Sequence, residues 1–261
     1  MSVRPFADGD RPQLVHLWQT VFGDDAAFIH MFFNRIVPPG RGMVWDENGT
    51  IAAAAYIIDG ITVDARPCPY IYAVSTLPEF RGHGYGAAVS SACADLILTE
   101  GGVPVLHPAE ASLFAWYAHQ KFFPVSQLRQ GKIMTYANST AAVTPVSVHE
   151  YLALRRQMLE GFSFAEFTPQ LLDWWSEWSG SHFFSSPDGC FCLCESGSSV
   201  FVPEILARGS ASALVSAAAP NCEVSVRGPA LPGFDDFAPE LPFLAARDSS
   251  FTEIYWPFVF D

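Results

Sequence analysis

The chain has 261 residues, half of them hydrophobic and 16% charged, with a formal net charge of -13 at pH 7. That length exceeds one average domain, and the apolar share supports a packed core rather than long disorder. The acidic balance would repel a phosphate backbone and argues against nucleic acid as a partner, while no run reaches the roughly 18 to 20 apolar residues of a membrane span. Arg4, Asp8, Asp10 and Arg11 interrupt the place where a secretory signal would keep its apolar core, so the expected location is cytoplasmic.

In chain order, Ser2 to Phe6 reads as a short strand. Leu14, Leu17, Trp18, Val21 and Phe22 recur at helical spacing, and Asp24-Asp25 opens a second helix that ends before Pro38-Pro39-Gly40. Met43 to Asp46 and Ile51 to Ile58 form a hairpin across Glu47-Asn48-Gly49, whose Asn-Gly pair suits a tight turn. Ile61 to Val63 and Cys68 to Ser75 extend the sheet. A helix from about Gly86 to Thr99 carries Val89, Cys93, Leu96 and Ile97 as its apolar stripe. Val103 to Leu106 is then a strand and Ala111 to Lys121 a helix.

The stretch 137–145, rich in small and polar residues, reads as a linker, giving domains 1–138 and 146–261. In the second half, helices are expected around Val148 to Leu159, Pro169 to Trp178 and Ala211 to Ala218. Strands are expected at Cys190 to Cys194, Val200 to Val202, Val224 to Val226 and a final aromatic segment ending at Phe260. The alternation Cys190-Phe191-Cys192-Leu193-Cys194 puts three thiols on one strand face. A strand buried on both faces explains it better than zinc, which needs wider cysteine spacing and a second ligand pair, so no metal is expected. Trp174, Trp175 and Trp178 at helical spacing read as core, and Asp235, Asp236 and Glu240 as a solvated loop.

The most informative segment is Arg81-Gly82-His83-Gly84-Tyr85-Gly86, set between an apolar strand and an Ala/Ser-rich helix. Its glycines permit backbone conformations closed to other residues and a close ligand approach, and the helix amides behind them point at the same place. An anion, and specifically a phosphate, fits there.

This Arg-x-x-Gly-x-Gly pattern, preceded by Leu77-Pro78-Glu79-Phe80 and followed by Phe114-Ala-Trp-Tyr117-Ala-His-Gln-Lys-Phe122, resembles the GNAT superfamily of acyl-CoA-dependent N-acyltransferases. The resemblance covers about residues 1–136. It implies an α/β fold with a mixed sheet, in tandem with a second, degenerate GNAT-like domain, and acetyl-CoA as co-substrate. The main chain of Val74, Ser75 and Thr76 would meet the pantetheine arm, and Arg81, Gly82, His83, Gly84, Tyr85, Gly86 and Ala87 would form the pyrophosphate loop.

Tyr117 occupies the family's proton-donor position, with core packing beside Trp116 as the rival role. Some relatives carry a glutamate on the later strand where this chain has Val105, so the base is open among His107, Glu110, Tyr72 and Glu79. Glu110 falls where relatives have a cofactor-touching asparagine, which makes ligand contact an equal reading. The implied activity is acetyl transfer to a primary amine on a small molecule or peptide. A non-catalytic acyl-CoA-binding module and an interaction protein are the alternatives, and the second half would shape the acceptor pocket or a homodimer interface.

Overall fold

The computed structural model describes residues 2–196, 199–230, 240–247, 251 and 254–258. The chain divides into two compact units, Met1–Phe123 with Ala245–Ser250 and Pro124–Leu244 with Phe251–Asp261.

In the first unit β1 (Ser2–Pro5) leads to α1 (Arg11–Phe22) and α2 (Ala26–Arg35). The Asp25 carboxylate accepts from the Phe28 N–H and starts α2; Gly23, at φ 81°, ends α1. The hairpin β2 (Gly42–Glu47) and β3 (Thr50–Ile58) follows, then the short pair β4 (Ile61–Val63) and β5 (Arg66–Pro67). Next come β6 (Tyr70–Thr76), α3 (Tyr85–Thr99), β7 (Val105–Leu106) and α4 (Leu113–Ala118), the last shorter than its sequence pattern indicated. The sheet runs β1-β2-β3-β6-β7, antiparallel except for the parallel pair β6 and β7.

Both faces of β3 are covered. Ala53, Ala55 and Ile57 pack with Val89, Cys93 and Ile97 of α3. On the opposite face Tyr56 meets Trp18 at 5.3 Å and Phe33 at 5.3 Å between ring centroids. Period-two alternation in a central strand therefore builds two cores from one run of apolar residues.

The second unit contains most of β8 (Phe123–Met134), then β9 (Thr144–Val146), α5 (Val148–Met158), β10 (Ala165–Phe167) and α6 (Pro169–Ser179). β11 (Ser181–Ser186), β12 (Gly189–Ser196), β13 (Ser199–Ala207), α7 (Ala211–Ala218) and β14 (Glu223–Pro229) complete it. Its pairing repeats the first unit's. β9 lies antiparallel to β11, β11 to β12 and β12 to β13, while β13 and β14 are parallel. Two helices precede the hairpin and one links the parallel strands, in both units. The second unit thus repeats the first in topology, although its sequence lacks the glycine motif.

The closing strands are not local. β14 is flanked by β8, in register from Glu223↔Met134 to Pro229↔Leu128. β7 is flanked by Ala245 and Ala246, the end of β15 (Glu240–Ala246). The division between units therefore falls at Phe123/Pro124, ahead of the 137–145 stretch, which itself enters β9.

Cys190 and Cys192 are buried, and Phe191 and Leu193 pack on the other side of β12 against α7 residues. Trp174 and Trp175 are buried too. Asp235, Asp236 and Phe260 lie outside the described residues. Among the described residues no helix is long and apolar enough to cross a membrane.

Candidate active site

β6 and β7 touch at one point. Val103 donates from its N–H to the Pro67 carbonyl at 2.9 Å and Val105 to Pro69 at 3.2 Å; Tyr70↔Val105 is the parallel pair, and β7 ends at Leu106. β6 continues to Thr76, paired on its other side with β3. Its register shifts opposite Ala54–Tyr56, where Ala73 takes φ 50°. This bulge turns the main chain of Val74–Thr76 along an edge that no strand covers among the described residues, so an extended ligand can lie against it.

Beyond Thr76 a 3-10 turn at Pro78–Phe80 delivers Arg81, whose Nε donates to the Thr76 carbonyl at 3.4 Å. Gly82 and Gly84 both sit at φ 81°, with no atom within 4 Å of a Cβ built on either. That conformation and that open space are what glycine supplies. His83 Nδ1 lies 3.0 Å from the Arg81 carbonyl and 3.2 Å from that of Phe80.

Gly84 is the N-cap of α3 and offers no side-chain cap; the first helical bond runs from the Ala88 N–H to the Gly84 carbonyl at 3.0 Å. The amides of Tyr85, Gly86 and Ala87 are thus left for a ligand, at the positive end of a 15-residue helix. Gly86 packs so closely on β6 that a Cβ there would stand 3.0 Å from Thr76 Oγ1.

The second unit treats the corresponding helix start differently. Ser210 caps α7 with its own hydroxyl, accepting from the Ala213 N–H at 3.3 Å. At the start of α7 one amide is therefore already satisfied by the chain itself.

Residues 2–113 match the model of the acetyltransferase (GNAT) domain. No curated protein matches the sequence. Among solved structures, a GCN5-related N-acetyltransferase from Kribbella flavida is 18% identical at a TM-score of 0.69, over 94% of this chain and 70% of that one. Eis1 from Mycobacterium abscessus is 13% identical at 0.69, over 95% and 73%. A putative acetyltransferase from Pyrococcus horikoshii is 11% identical at 0.62, over 97% and 90%. At these identities the likeness establishes the fold, and it extends through both halves.

In the first unit, Tyr117 lies in the core with Val89 and Cys93, 7% exposed, its ring edge-on to Trp116 at 4.6 Å. Burial raises its hydroxyl pKa above the usual phenol value, which keeps the proton on the oxygen at working pH. The turn after the helix bearing it is tied to the first turns of α3: Ser90 Oγ donates to the Gly86 carbonyl at 2.9 Å and lies 2.6 Å from Gln120 Oε1.

Val105, on β7, is fully buried. His107 follows β7 and is half-buried; Glu110 is exposed and accepts from Ser112 Oγ at 3.2 Å; Glu79 is exposed in the 3-10 turn. Tyr72, on β6, faces the aromatic core, 5.5 Å from Phe32 and 5.8 Å from Trp18 between ring centroids.

Two groups had no sequence signal. Trp45 stacks on Tyr85 with ring centroids 4.2 Å apart and planes 12° from parallel. Glu47 Oε2 accepts from Trp45 Nε1 at 3.0 Å and from the Tyr85 hydroxyl at 3.1 Å. In the sequence Glu47 was only a hairpin residue, 38 positions from its partner.

Proposed function

We propose that this protein is an acetyl-CoA-dependent N-acetyltransferase acting on a primary amine. The observation that carries the reading is the uncapped start of α3 behind Gly82 and Gly84, placed where β6 leaves β7. The amides of Gly82, His83, Gly84, Tyr85, Gly86 and Ala87 would hold the diphosphate, with Arg81 opening the loop. The free edge of Val74, Ser75 and Thr76 would hold the pantetheine arm as an added strand.

In the transfer the amine must arrive neutral and attack the thioester carbonyl. A main-chain N–H near Val74 would hold the oxyanion, and Tyr117 would give its proton to the departing thiolate. His107 and Glu110 are the candidate groups for taking the amine's proton, directly or through water. The second unit would shape the acceptor pocket or a dimer interface. The capped start of α7 supports one coenzyme per chain.

Titration calorimetry with acetyl-CoA tests the reading; one-to-one binding is expected, followed by acetyl transfer to some member of an amine panel. No binding at millimolar ligand, with the protein folded, would remove it. A second reading, an acyl-CoA-binding module without turnover, is favoured by buried Val105 at the base position. Binding without transfer across the panel would select it.

A further inference from the structure

We infer that Glu47 is a positioning residue for coenzyme binding: with Trp45 it clamps Tyr85 and so fixes the first turn of α3 in the conformation that presents its amides. The inference rests on the proposed acetyl-CoA site and adds a part that no motif residue supplies.

Tyr85 is the first residue of α3, between Gly84 and Gly86. A turn carrying three glycines is free to sample many backbone states, and each must be ordered when an anion binds. Tyr85 is the non-glycine residue in that run whose side chain reaches back to the sheet. Its ring lies flat on Trp45, and its hydroxyl and the Trp45 indole N–H both donate to the same Glu47 oxygen. Trp45 pairs with Ala53 and Ala53 with Thr76, so the clamp acts from the same end of the sheet as the Thr76–Gly86 contact. Charge-assisted hydrogen bonds to a half-buried carboxylate are strong enough to hold this geometry before the ligand arrives.

Glu47 is negative and stands beside a proposed diphosphate site, so two effects oppose one another. Removing the clamp weakens binding; removing the charge strengthens it. Substitution by glutamine separates them, since its amide oxygen accepts both hydrogen bonds and carries no charge.

The test is calorimetric titration of the full-length chain with acetyl-CoA, for the wild type, Glu47→Ala, Glu47→Gln and Tyr85→Phe. The expected result is about a tenfold rise in Kd for Glu47→Ala, a Kd for Glu47→Gln equal to or below that of the wild type, and an intermediate rise for Tyr85→Phe. Rescue by glutamine is what a merely electrostatic role would not produce. Glu47→Ala binding as tightly as Glu47→Gln overturns the clamp. If Glu47→Ala does not fold, an unchanged Kd for Tyr85→Phe overturns it instead. A wild type that binds no acetyl-CoA overturns the proposed function and the clamp together, a result distinct from the others.

Discussion

Arg247 Nη1 lies 2.8 Å from Asp95 Oδ1, joining the segment after β15 to α3, whose N-terminus is the proposed anion cradle, across 152 positions of sequence. The same Arg247 donates from its main-chain N–H to the Pro104 carbonyl at 3.1 Å, beside the pairing of Ala245 and Ala246 with β7. Asp95 is largely exposed, so the ion pair itself is worth little; the strand pairing is what closes the first unit's sheet. A fragment ending at Ala137 leaves that edge bare. It is expected to lose cooperative thermal unfolding and acetyl-CoA binding, measured by circular dichroism and calorimetry, whereas a fragment that melts sharply and binds normally would show the return segment to be dispensable.

Gly84→Ala and Gly86→Ala should fail for different reasons. At Gly84 there is room for a methyl group, but φ 81° costs an L-residue about 1 to 2 kcal/mol, and the methyl would occupy the ligand's approach. At Gly86 the backbone is helical and the strain is the 3.0 Å approach to Thr76 Oγ1. Both substitutions should weaken coenzyme binding, and Gly84→Ala should lower the melting temperature more.

Tyr117→Phe should lower kcat while leaving the coenzyme Kd nearly unchanged, because the hydroxyl would act on the departing thiolate while the ring keeps its packing. Unchanged turnover would assign Tyr117 to the core alone.

Acid stability should depend on Asp10. Arg4 holds it in a two-point pair, at 2.7 Å and 2.9 Å, and the hydrogen bonds from Arg4 keep the Asp10 pKa below its ordinary value of 3.8. A carboxylate with a depressed folded-state pKa contributes stability above its unfolded-state pKa and loses it as pH falls through the folded-state value. Asp10→Asn should therefore be less stable by about 1 kcal/mol at pH 7, the half-exposed Arg4 limiting the effect, and in urea titrations the difference should fade as pH falls below 3.8 through the lowered folded-state value.

In the second unit Arg155 and Glu204 are almost wholly buried, with Nε 2.9 Å from both carboxylate oxygens and the Tyr151 hydroxyl donating to the same group. Glu204→Ala strands a buried guanidinium and should cost about 3 to 5 kcal/mol by chemical denaturation. The pair Arg155→Met with Glu204→Leu should recover much of that loss; equal destabilisation by single and double variants would contradict this account.

Much of the fold was legible because it rests on local patterns. Trp18 and Phe22 mark one helix, Asn48-Gly49 a hairpin, and Val89, Cys93 and Ile97 another helix, each through a period or a turn that neighbours in sequence impose. β8 was not legible. Its second half alternates half-buried and exposed positions, but these hold Arg129, Gln130, Gly131 and Lys132, so no apolar period announces a strand. β11 escaped for a similar reason, since Ser181, Ser185 and Ser186 dilute it.

By itself the sequence determined the glycine turn at the proposed anion cradle, since Gly82, Gly84 and Gly86 at the start of a helix encode backbone states and a helix terminus that need only local geometry. Tertiary structure alone decided what holds that cradle in place: Glu47 and Trp45 on Tyr85, Gln120 on Ser90, and Ala245 beside β7. Those contacts join residues 30 or more positions apart, where the meeting is set by packing of the whole sheet and leaves no mark in any short window of sequence.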